Sequence, residues 1–366
     1  MHEVLERLIR EGQGKRIACY GAGDYACCLL AFLRDRGMDI DLFVVTEAAR
    51  NQEPVLGVQV VALAAVREPK DFMWVVCVSA KYRKAIQASL HARGIDQYVV
   101  IDRPCFQAAC LEATKKNKEL HQAAKRDRCF LLGMGPSIRR QNLKLLRNEV
   151  VYTCSFVSLL PEYGDIQPEF YTSAALVGDE FKDTRYIMEV LRFYEETISS
   201  PTFILDCWDR PYIQEAGRFK RKKVYYMLQD GQWSDSRRKI YRLDKNSPGV
   251  QTGSIMMLKV AMAMGYKKIY LLGMENDLVR KTYDHAYDLN TAMKQRGFSW
   301  LGDRMIESIN DVKDAPNRSI LRMCLHMYEQ YHHLHEIARH NGIEIYNATL
   351  GGSLDEFPRV SYETLF

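Results

Sequence analysis

Residues 129–137 read Cys-Phe-Leu-Leu-Gly-Met-Gly-Pro-Ser, a short apolar run that leads directly into a glycine turn. A run of this length bounded by a turn signal predicts a buried strand over residues 129–132. Pro136 fixes the backbone and Ser137 can cap a following helix that contains Leu143. This order of strand, turn and helix predicts the start of an α/β unit whose turn amides favour an anion.

The same alternation of strands and helices extends in both directions from this turn. Short apolar runs predict further strands at 15–20, 40–46, 72–79, 98–101, 150–156, 202–207, 223–228, 268–272 and 344–346. Strands that alternate with helices indicate parallel, doubly wound sheets. We therefore predict an α/β protein with two Rossmann-like doubly wound domains: residues 1–103, a helical linker at 104–126, and residues 127–366.

Composition excludes several classes of protein. The 366 residues are 47% hydrophobic with a net charge of +5, which indicates a folded chain and gives little support to nucleic-acid binding. The ten cysteines are scattered through apolar segments without zinc or redox spacing, so reduced structural thiols are expected. No signal peptide is visible, and no apolar stretch reaches the roughly 18 residues of a membrane span. A cytoplasmic protein is expected; peripheral contact with the inner membrane face and homo-oligomer formation stay open.

Another glycine turn lies near the N-terminus and is the first along the chain, so the turn at residues 133–137 is called the second glycine turn. Gly21-x-Gly23 follows a predicted strand and precedes a helix, which is the context of a dinucleotide fingerprint, and Glu47 follows the next strand. These residues form a candidate second nucleotide site. The alternative is an ordinary tight turn without ligand. This domain resembles the Rossmann-like N-terminal modules of bacterial polysaccharide enzymes, in which such a module is regulatory or structural.

Two further motifs accompany the turn at residues 133–137. Gln251-Thr252-Gly253 opens the apolar helix 253–264, and Gly273-Met-Glu275-Asn-Asp277 follows the strand at 268–272. They place a second helix N-terminus and an acidic loop at the carboxyl end of a strand. Such ends line the ligand crevice in open α/β sheets.

Residues 127–366 resemble two groups of proteins. The order Gly-x-Gly-Pro-Ser, Thr-Gly, and Met-Gly-Tyr-Lys-Lys-Ile-Tyr-Leu-Leu-Gly resembles the sialyltransferases of glycosyltransferase family 42. The end of the chain, residues 342–360, is similar to the MptE-like family, which includes 6-hydroxymethylpterin pyrophosphokinases. The resemblance implies a GT-A-variant-like sialyltransferase fold.

The resemblance also implies roles for single residues. It assigns binding of cytidine monophosphate (CMP) to the glycine turn and to the start of the Thr-Gly helix, namely Gly133, Gly135, Pro136, Ser137, Gln251, Thr252 and Gly253. Ser155 stands where the family has a nucleotide-contacting asparagine, and Glu275 matches an aspartate. Tyr283 matches one of two phosphate-binding tyrosines. The chain departs from the pattern at Asp277, in place of the other tyrosine, and near Gly249, in place of an arginine.

Glycosyl transfer needs a base for the acceptor hydroxyl, and histidine titrates in the suitable range. The resemblance places the catalytic histidine at or near His326, whereas His285 lies in a loop similar to one in the polysaccharide group. Both stay candidates. A monophosphate donor would need no metal or cofactor.

The resulting expectation is a metal-independent glycosyltransferase. It would move a sugar, such as a nonulosonate, from a CMP donor to a cell-surface or lipid-linked glycan. Two alternatives stay open: diphosphate transfer from ATP, as in the pterin pyrophosphokinases, and a non-catalytic nucleotide-binding or assembly protein. The basic runs 218–223 and 237–239 favour either an anionic acceptor or membrane surface, or a solvated loop.

Overall fold

The computed structural model describes residues 2–47, 53–176, 183–200, 202–280 and 285–366. The chain forms two compact units, one of Met1–Lys115 with Cys207–Gly217 and one of Lys116–Asp206 with Arg218–Phe366. Each unit contains one parallel sheet flanked by helices. The predicted α/β class with two parallel sheets is confirmed. Within the described residues, no helix has both the length and the apolarity needed to cross a membrane.

The first unit is built on a five-stranded sheet. Its strands are β1 (Arg16–Tyr20), β2 (Leu42–Val45), β3 (Gln59–Ala62), β4 (Phe72–Val76) and β5 (Tyr98–Val100). Its helices are α1 (Glu3–Gly12), α2 (Asp24–Arg34), α3 (Ala80–His91) and α4 (Arg103–Thr114). The strand order is β3-β2-β1-β4-β5. The central strand β1 is buried after its first residue, as expected for a parallel strand covered on both faces.

The second unit is built on a seven-stranded sheet. Its strands are β6 (Arg128–Leu132), β7 (Val151–Cys154), β8 (Phe170–Thr172), β9 (Thr202–Asp206), β10 (Lys223–Met227), β11 (Lys268–Leu272) and β12 (Glu344–Asn347). The helices of this part of the chain are α5 (Tyr163–Ile166), α6 (Thr184–Thr197), α7 (Arg210–Glu215), α8 (Gly253–Met264), α9 (Leu289–Gln295), α10 (Ser299–Asp314) and α11 (Asn317–His340). Helix α7 belongs to the first compact unit.

The strand order of the second sheet is β10-β9-β8-β7-β6-β11-β12. The chain therefore runs outward from β6 to β10 and then crosses over to β11 on the other side of β6. This reversal makes the gap between β6 and β11 the topological switch point, where open α/β sheets bind ligands. Helix α8 is buried from Ile255 to Met264, so it is a core helix rather than an amphipathic surface helix.

The compact units differ from the predicted domain bounds of 1–103, 104–126 and 127–366. Helix α4, which the sequence places in the linker, buries one apolar face in the first unit. Phe106 on that helix stacks on Tyr25 at 4.2 Å and on Trp208 at 4.7 Å between ring centroids. Aromatic contacts of this kind explain why residues 207–217 group with the first unit.

The segment after the second glycine turn also differs from expectation. Instead of the predicted helix, two short 3₁₀ turns form at Pro136–Arg140 and Leu143–Asn148. The Gly135 N–H donates to the Gly273 carbonyl at 2.9 Å, and the Ser137 N–H donates to the Glu275 carboxylate at 2.6 Å. These amides bind across the sheet rather than opening an α-helix. A strong helix dipole at this turn is therefore not formed.

Candidate functional site

A cleft of about 640 Å³ lies in the second unit at the switch point between β6 and β11. The segments after β6, β7 and β11, the start of α8, and parts of α10 and α11 form its walls. Most of the predicted nucleotide-binding residues line it, namely Gly133, Gly135, Pro136, Ser155, Gln251, Thr252, Gly253 and Glu275. The topology thus brings together motifs that are far apart in the sequence.

Two glycines allow the ends of β6 and β11 to approach closely. The Gly133 N–H donates to the Leu272 carbonyl at 2.8 Å. A Cβ on Gly133 would lie 2.5 Å from the Gly273 carbonyl oxygen, and one on Gly273 would lie 2.6 Å from the Gly133 carbonyl oxygen. Both clashes involve backbone, which no rotamer change can relieve. Glycine at these positions is therefore required by strand spacing, whether or not a ligand binds.

We expect Gly133→Ala to lower the free energy of unfolding by about 1–3 kcal/mol, because the added methyl group overpacks two strand ends. Gly164→Ala is the matched control, since a Cβ there would meet no atom within 4 Å. Neither glycine has a positive φ, so the two variants differ mainly in the space around the new methyl group. Urea unfolding would measure both. Equal stability of the two variants would contradict the close approach of β6 and β11.

Glu275 lies across the second glycine turn. Its Oε1 accepts from the Ser137 N–H, while a Cβ on Gly135 would lie 1.5 Å from its Oε2. Gly135 therefore leaves room for a carboxylate, and this carboxylate occupies part of the anion site that the turn offers. Ser137 is buried, is absent from the cleft walls and has its amide satisfied by Glu275. An incoming phosphate at that amide would have to displace the carboxylate.

The C-terminal glycine loop supports Glu275 from behind. A Cβ on Gly352, whose φ is +86°, would lie 2.5 Å from the Glu275 Cα. The Ser353 N–H donates to the Glu275 carbonyl at 2.7 Å. The Arg359 guanidinium in turn donates to carbonyls of this loop, including those of Gly351 at 2.7 Å and Gly352 at 2.9 Å. Residues near the chain end thus help to position the acidic side chain in the cleft.

The N-terminus of α8 is the more accessible anion site in the cleft. Thr252 caps the helix by accepting from the Ile255 N–H at 3.4 Å. The N–H groups of Gly253 and Ser254 have no intrahelical acceptor and are only partly buried. They lie at the positive end of a 12-residue helix. The hydrogen-bond donors and the helix dipole that were expected to bind a phosphate at the glycine turn are therefore present at the start of α8.

A chain of hydroxyl groups holds this helix start in place. Thr252 Oγ1 and Ser254 Oγ are 2.8 Å apart, and Ser254 Oγ is 2.8 Å from the Tyr331 hydroxyl. Tyr331 is fully buried on α11, and burial raises the pKa of its phenol, so it stays neutral and available for hydrogen bonding. Gly253 packs against Cys154 of β7, where a Cβ would lie 3.0 Å from the Cys154 Cβ. The sequence motifs did not reveal Tyr331 or Cys154.

Two non-glycine residues of the cleft adopt left-handed backbone conformations. They are Ser155, with φ +56°, just after β7, and Asn276, with φ +53°, after β11. Such conformations are costly for serine and persist where the surroundings enforce them, commonly at functional sites. The buried Tyr171 hydroxyl enforces one of them by donating to the Ser155 carbonyl at 2.8 Å. These backbone angles carry no sequence signature at serine.

The candidate catalytic residues are placed differently from one another. His285 lines the cleft, with its ring 5.3 Å from that of Tyr287 and its carbonyl accepting from Arg139 at 3.3 Å. His326 is exposed on α11 and is absent from the cleft walls, although the adjacent Met327 lines them. Tyr283 lies outside the described residues.

An apolar wall completes the cleft and was missed by motif analysis. Its members are Met274, Leu278, Val312, Met323 and Met327. Polar groups beside this wall come from Asn276 and Asp277, and the Asp277 carboxylate accepts from the Ser353 hydroxyl. An apolar surface with a few convergent polar groups is typical of a small-molecule site. In the described ranges, no group of three or more His, Cys, Asp or Glu side chains is arranged to hold a metal ion.

The first glycine turn has a clear structural role in the first unit. Gly21 has φ +115°, and a Cβ there would lie 2.3 Å from the Cys77 carbonyl oxygen. It therefore permits close approach of the segments that follow β1 and β4. Gly23 caps α2 and is exposed, and Glu47 is exposed two residues after β2. The proposed ligand role of these three residues stays a prediction.

Comparison with known proteins gives no match: no protein-family model, no curated protein and no solved structure is significantly similar to the chain. Function is therefore inferred from the geometry of the cleft and from the ordered motifs that line it.

Proposed function

We propose that the second unit is a metal-independent, sialyltransferase-like glycosyltransferase with a GT-A-variant-like fold. The observation that carries this proposal is the composition of the switch-point cleft, which combines a glycine turn, an open helix N-terminus, a carboxylate and a histidine. The donor would be a nucleotide sugar such as a CMP-nonulosonate. The acceptor would be a cell-surface or lipid-linked glycan, met in the cytoplasm or at the inner membrane face.

The phosphate of the donor would bind at the start of α8. Thr252 and Ser254 supply hydroxyl groups there, and the first N–H groups of the helix supply donors. One phosphate matches the N-terminus of α8, which is the start of an α-helix in the cleft walls. A leaving group with one phosphate needs less charge neutralisation than a diphosphate, which supports transfer without a metal ion.

The nucleoside would lie between Glu275 and the methionine wall. Glu275 Oε2 is buried and has no hydrogen-bond partner among the described residues, so it would accept from a ribose hydroxyl once a small movement of the carboxylate exposes it to the cleft. Met323 and Met327 offer a polarisable surface for a flat base. This arrangement leaves the Ser137–Glu275 hydrogen bond intact and makes the glycine turn a support for the carboxylate.

In the transfer step, the acceptor hydroxyl oxygen forms a bond to the anomeric carbon of the donor sugar. The bond between that carbon and the phosphate oxygen breaks, and the nucleoside monophosphate leaves with the electron pair. The proton of the acceptor hydroxyl passes to a histidine, for which His285 is the candidate that lines the cleft. Tyr283 is proposed to donate to the departing phosphate.

Calorimetric titration of the full chain with CMP, UDP, GDP and ATP, without added metal, tests the donor class. We expect CMP to bind most tightly and a chelator to leave its affinity unchanged. Binding of ATP alone would overturn the proposal.

Diphosphate transfer from ATP is the rival function. It is favoured by one observation, that the carboxylates of Glu275 and Asp277 both line the cleft and could bind Mg²⁺. A strict requirement for Mg²⁺ in nucleotide binding would support this rival. Failure of the native chain to turn over any nucleotide sugar, with binding retained, would instead support a non-catalytic nucleotide-binding or assembly protein.

A further inference from the structure

A second concave site lies in the loop between β10 and α8, outside the cleft. It has a volume of about 460 Å³. Its walls contain three cationic side chains, two serines, a glutamine and a tyrosine, namely Arg237, Arg238, Lys239, Ser234, Ser236, Gln232 and Tyr241. No carboxylate is among these lining residues. We call this site the basic pocket.

The arginines of the basic pocket are held by backbone carbonyls rather than by acids. Arg237 Nε donates to the Lys239 carbonyl at 2.7 Å, and Arg238 Nη1 donates to the Asp235 carbonyl at 2.6 Å. A carbonyl positions a guanidinium without cancelling its charge. In the part of the chain that the structure describes, none of the three cationic side chains forms an ion pair.

The other basic run of this unit behaves differently. Arg218 pairs with Glu195 at 2.9 Å, and Lys223 lies 3.8 Å from Glu119. The run at 218–223 is thus partly neutralised, whereas the run at 237–239 lines a pocket without paired acids. Sequence alone had not separated the two runs.

Aromatic packing makes the basic pocket a preformed site. The Arg237 guanidinium lies 4.0 Å from the centre of the Tyr241 ring, and the Trp233 ring lies 5.8 Å from that of Tyr241. Trp233 also donates to the Gly249 carbonyl at 2.8 Å and stacks on His333 of α11 at 5.6 Å. Because these side chains are already ordered, an anion would bind with little further loss of conformational entropy.

The positive potential of the pocket extends into the protein. Burial lowers the pKa of the nearby Lys259 ammonium to about 7. The negative charge of Asp206 raises this pKa, and the positive charge of Arg237 lowers it. Among the described residues, Asp235 and Glu336 are carboxylates near the pocket: Asp235 is highly exposed and 3.4 Å from His333, and Glu336 pairs with Arg339 and interacts electrostatically with Arg238. They leave the walls of the pocket itself cationic.

Helix α11 connects the basic pocket to the cleft. Met323 and Met327 line the cleft, Gln330 accepts from the Gln251 N–H at 2.9 Å, and His333 stacks on Trp233. These four residues of α11 follow one another at spacings of four, three and three, so they lie along one ridge of the helix. The rise from Met327 to His333 is about 9 Å. The cleft and the side chains that pack beside the pocket are therefore about two turns apart on one ridge of α11, a distance that one acceptor molecule could span.

We propose that the basic pocket binds a phosphate group carried by the acceptor, and so orients the acceptor toward the cleft. Arginine and lysine together suit a phosphate, which offers several oxygens and up to two negative charges. The acceptor role rests on the proposed function, whereas phosphate binding by the pocket does not. Either a soluble sugar phosphate or a phosphorylated lipid headgroup would supply this chemistry.

The test compares two double variants of the full chain with the same change in charge. Arg238→Gln with Lys239→Gln alters the pocket, and Lys220→Gln with Arg221→Gln alters exposed cations of the other basic run. Calorimetry with inorganic phosphate and with glucose 1-phosphate is carried out in the presence of saturating CMP, which fills the cleft. We expect the pocket variant to weaken phosphate binding at least about tenfold and the control to weaken it less than about twofold.

Sedimentation with phosphatidylcholine vesicles that contain phosphatidic acid distinguishes the two sources of phosphate. Pocket-dependent binding to vesicles assigns a lipid headgroup, and pocket-dependent binding to glucose 1-phosphate assigns a soluble acceptor. Equal weakening in both double variants, or no phosphate binding by the native chain, would overturn the proposal. Titration of the same variants with CMP tests the proposed function separately. If the proposed function is wrong, CMP does not bind, whereas the pocket still binds phosphate.

Discussion

Replacing His285 by alanine is expected to reduce turnover of the donor sugar by about 10²- to 10⁴-fold, the usual contribution of a general base. His285 lines the cleft, so removal of its imidazole would leave the acceptor hydroxyl without the proposed proton acceptor beside the bound donor. The nucleotide contacts proposed for α8 and Glu275 are not altered. We therefore expect kcat to fall while the affinity for CMP changes little, which steady-state kinetics and calorimetry would measure together.

His326→Ala is the matched control for this experiment. His326 is also a histidine of the second unit, but it is exposed and absent from the cleft walls. Its replacement should change kcat less than about twofold, as for other surface substitutions. The reverse result, with His326 essential and His285 dispensable, would assign the base to α11. Unchanged turnover in both variants would remove histidine catalysis from the proposed mechanism.

The phase of a helix explains why counting along the sequence could not decide whether His326 faces the cleft. Successive residues on a helix differ in direction by about 100°, so an error of one position moves a side chain from one face to another. His326 and Met327 are neighbours in the chain, yet only Met327 lines the cleft. Counting back from the last strand locates a helix that lines the cleft, without locating the face of that helix that does so.

Most strands of both sheets could be predicted because a parallel strand buried on both faces is a continuous apolar run. β11 at Lys268–Leu272 and β6 at Arg128–Leu132 follow this rule. β3 and β8 were missed, at four and three residues long. β3 pairs with β2, and β8 pairs with β7 and β9. Hydrogen bonds between strands leave little local pattern in the sequence.

The order of the motifs predicted which loops meet in the cleft, but not how their atoms interact. Glu275 and Ser137 are 138 positions apart, and their hydrogen bond exists only because β6 and β11 are adjacent in the sheet. Because the Glu275 carboxylate occupies the turn, the accessible anion site in the cleft is the N-terminus of α8. Sequence reasoning treated each glycine turn as a separate cradle and had no means of detecting this competition.

Lys259 provides the second large expected effect, on stability rather than on catalysis. It lies within the buried helix α8 and is only 1% exposed. Its ammonium donates to Gln229 Oε1 at 3.1 Å, Ser247 Oγ at 2.9 Å and the Pro248 carbonyl at 2.7 Å. The Asp206 carboxylate belongs to the same network and accepts from the Gln229 amide at 2.8 Å. Burial lowers the pKa of Lys259 to about 7, because its effect outweighs the opposing charge of Asp206.

This lowered pKa makes stability depend on pH in a defined direction. Below pH 7 the lysine is protonated in both the folded and unfolded states, and the full cost of burying its charge is present. Between about pH 7 and 10 the unfolded chain still binds a proton that the folded chain has released, so stability rises by up to about 1.4 kcal/mol per pH unit. The whole window amounts to about 4–5 kcal/mol. Burial raises the pKa of Cys27 and Cys154 to about 12, so the thiols oppose this rise at its alkaline end.

Lys259→Met should remove the contribution of the lysine to the pH dependence of stability and keep the contribution of the thiols. The difference in the free energy of unfolding between the native protein and the variant therefore isolates the lysine. Urea unfolding from pH 6 to 10 would give the free energy of unfolding of each. We expect the free energy of unfolding of the native protein minus that of the variant to increase by several kcal/mol across this range. The acceptors on Gln229, Ser247 and Pro248 lose their donor in the variant, which changes its stability by an amount that does not depend on pH. The absolute value of the difference is therefore not the test. Lys245→Met, at an exposed lysine of the same loop, should reproduce the native pH dependence. A difference curve for Lys259→Met as flat as that of this control would show that the buried lysine keeps its proton throughout, with Asp206 and the three acceptors compensating its charge.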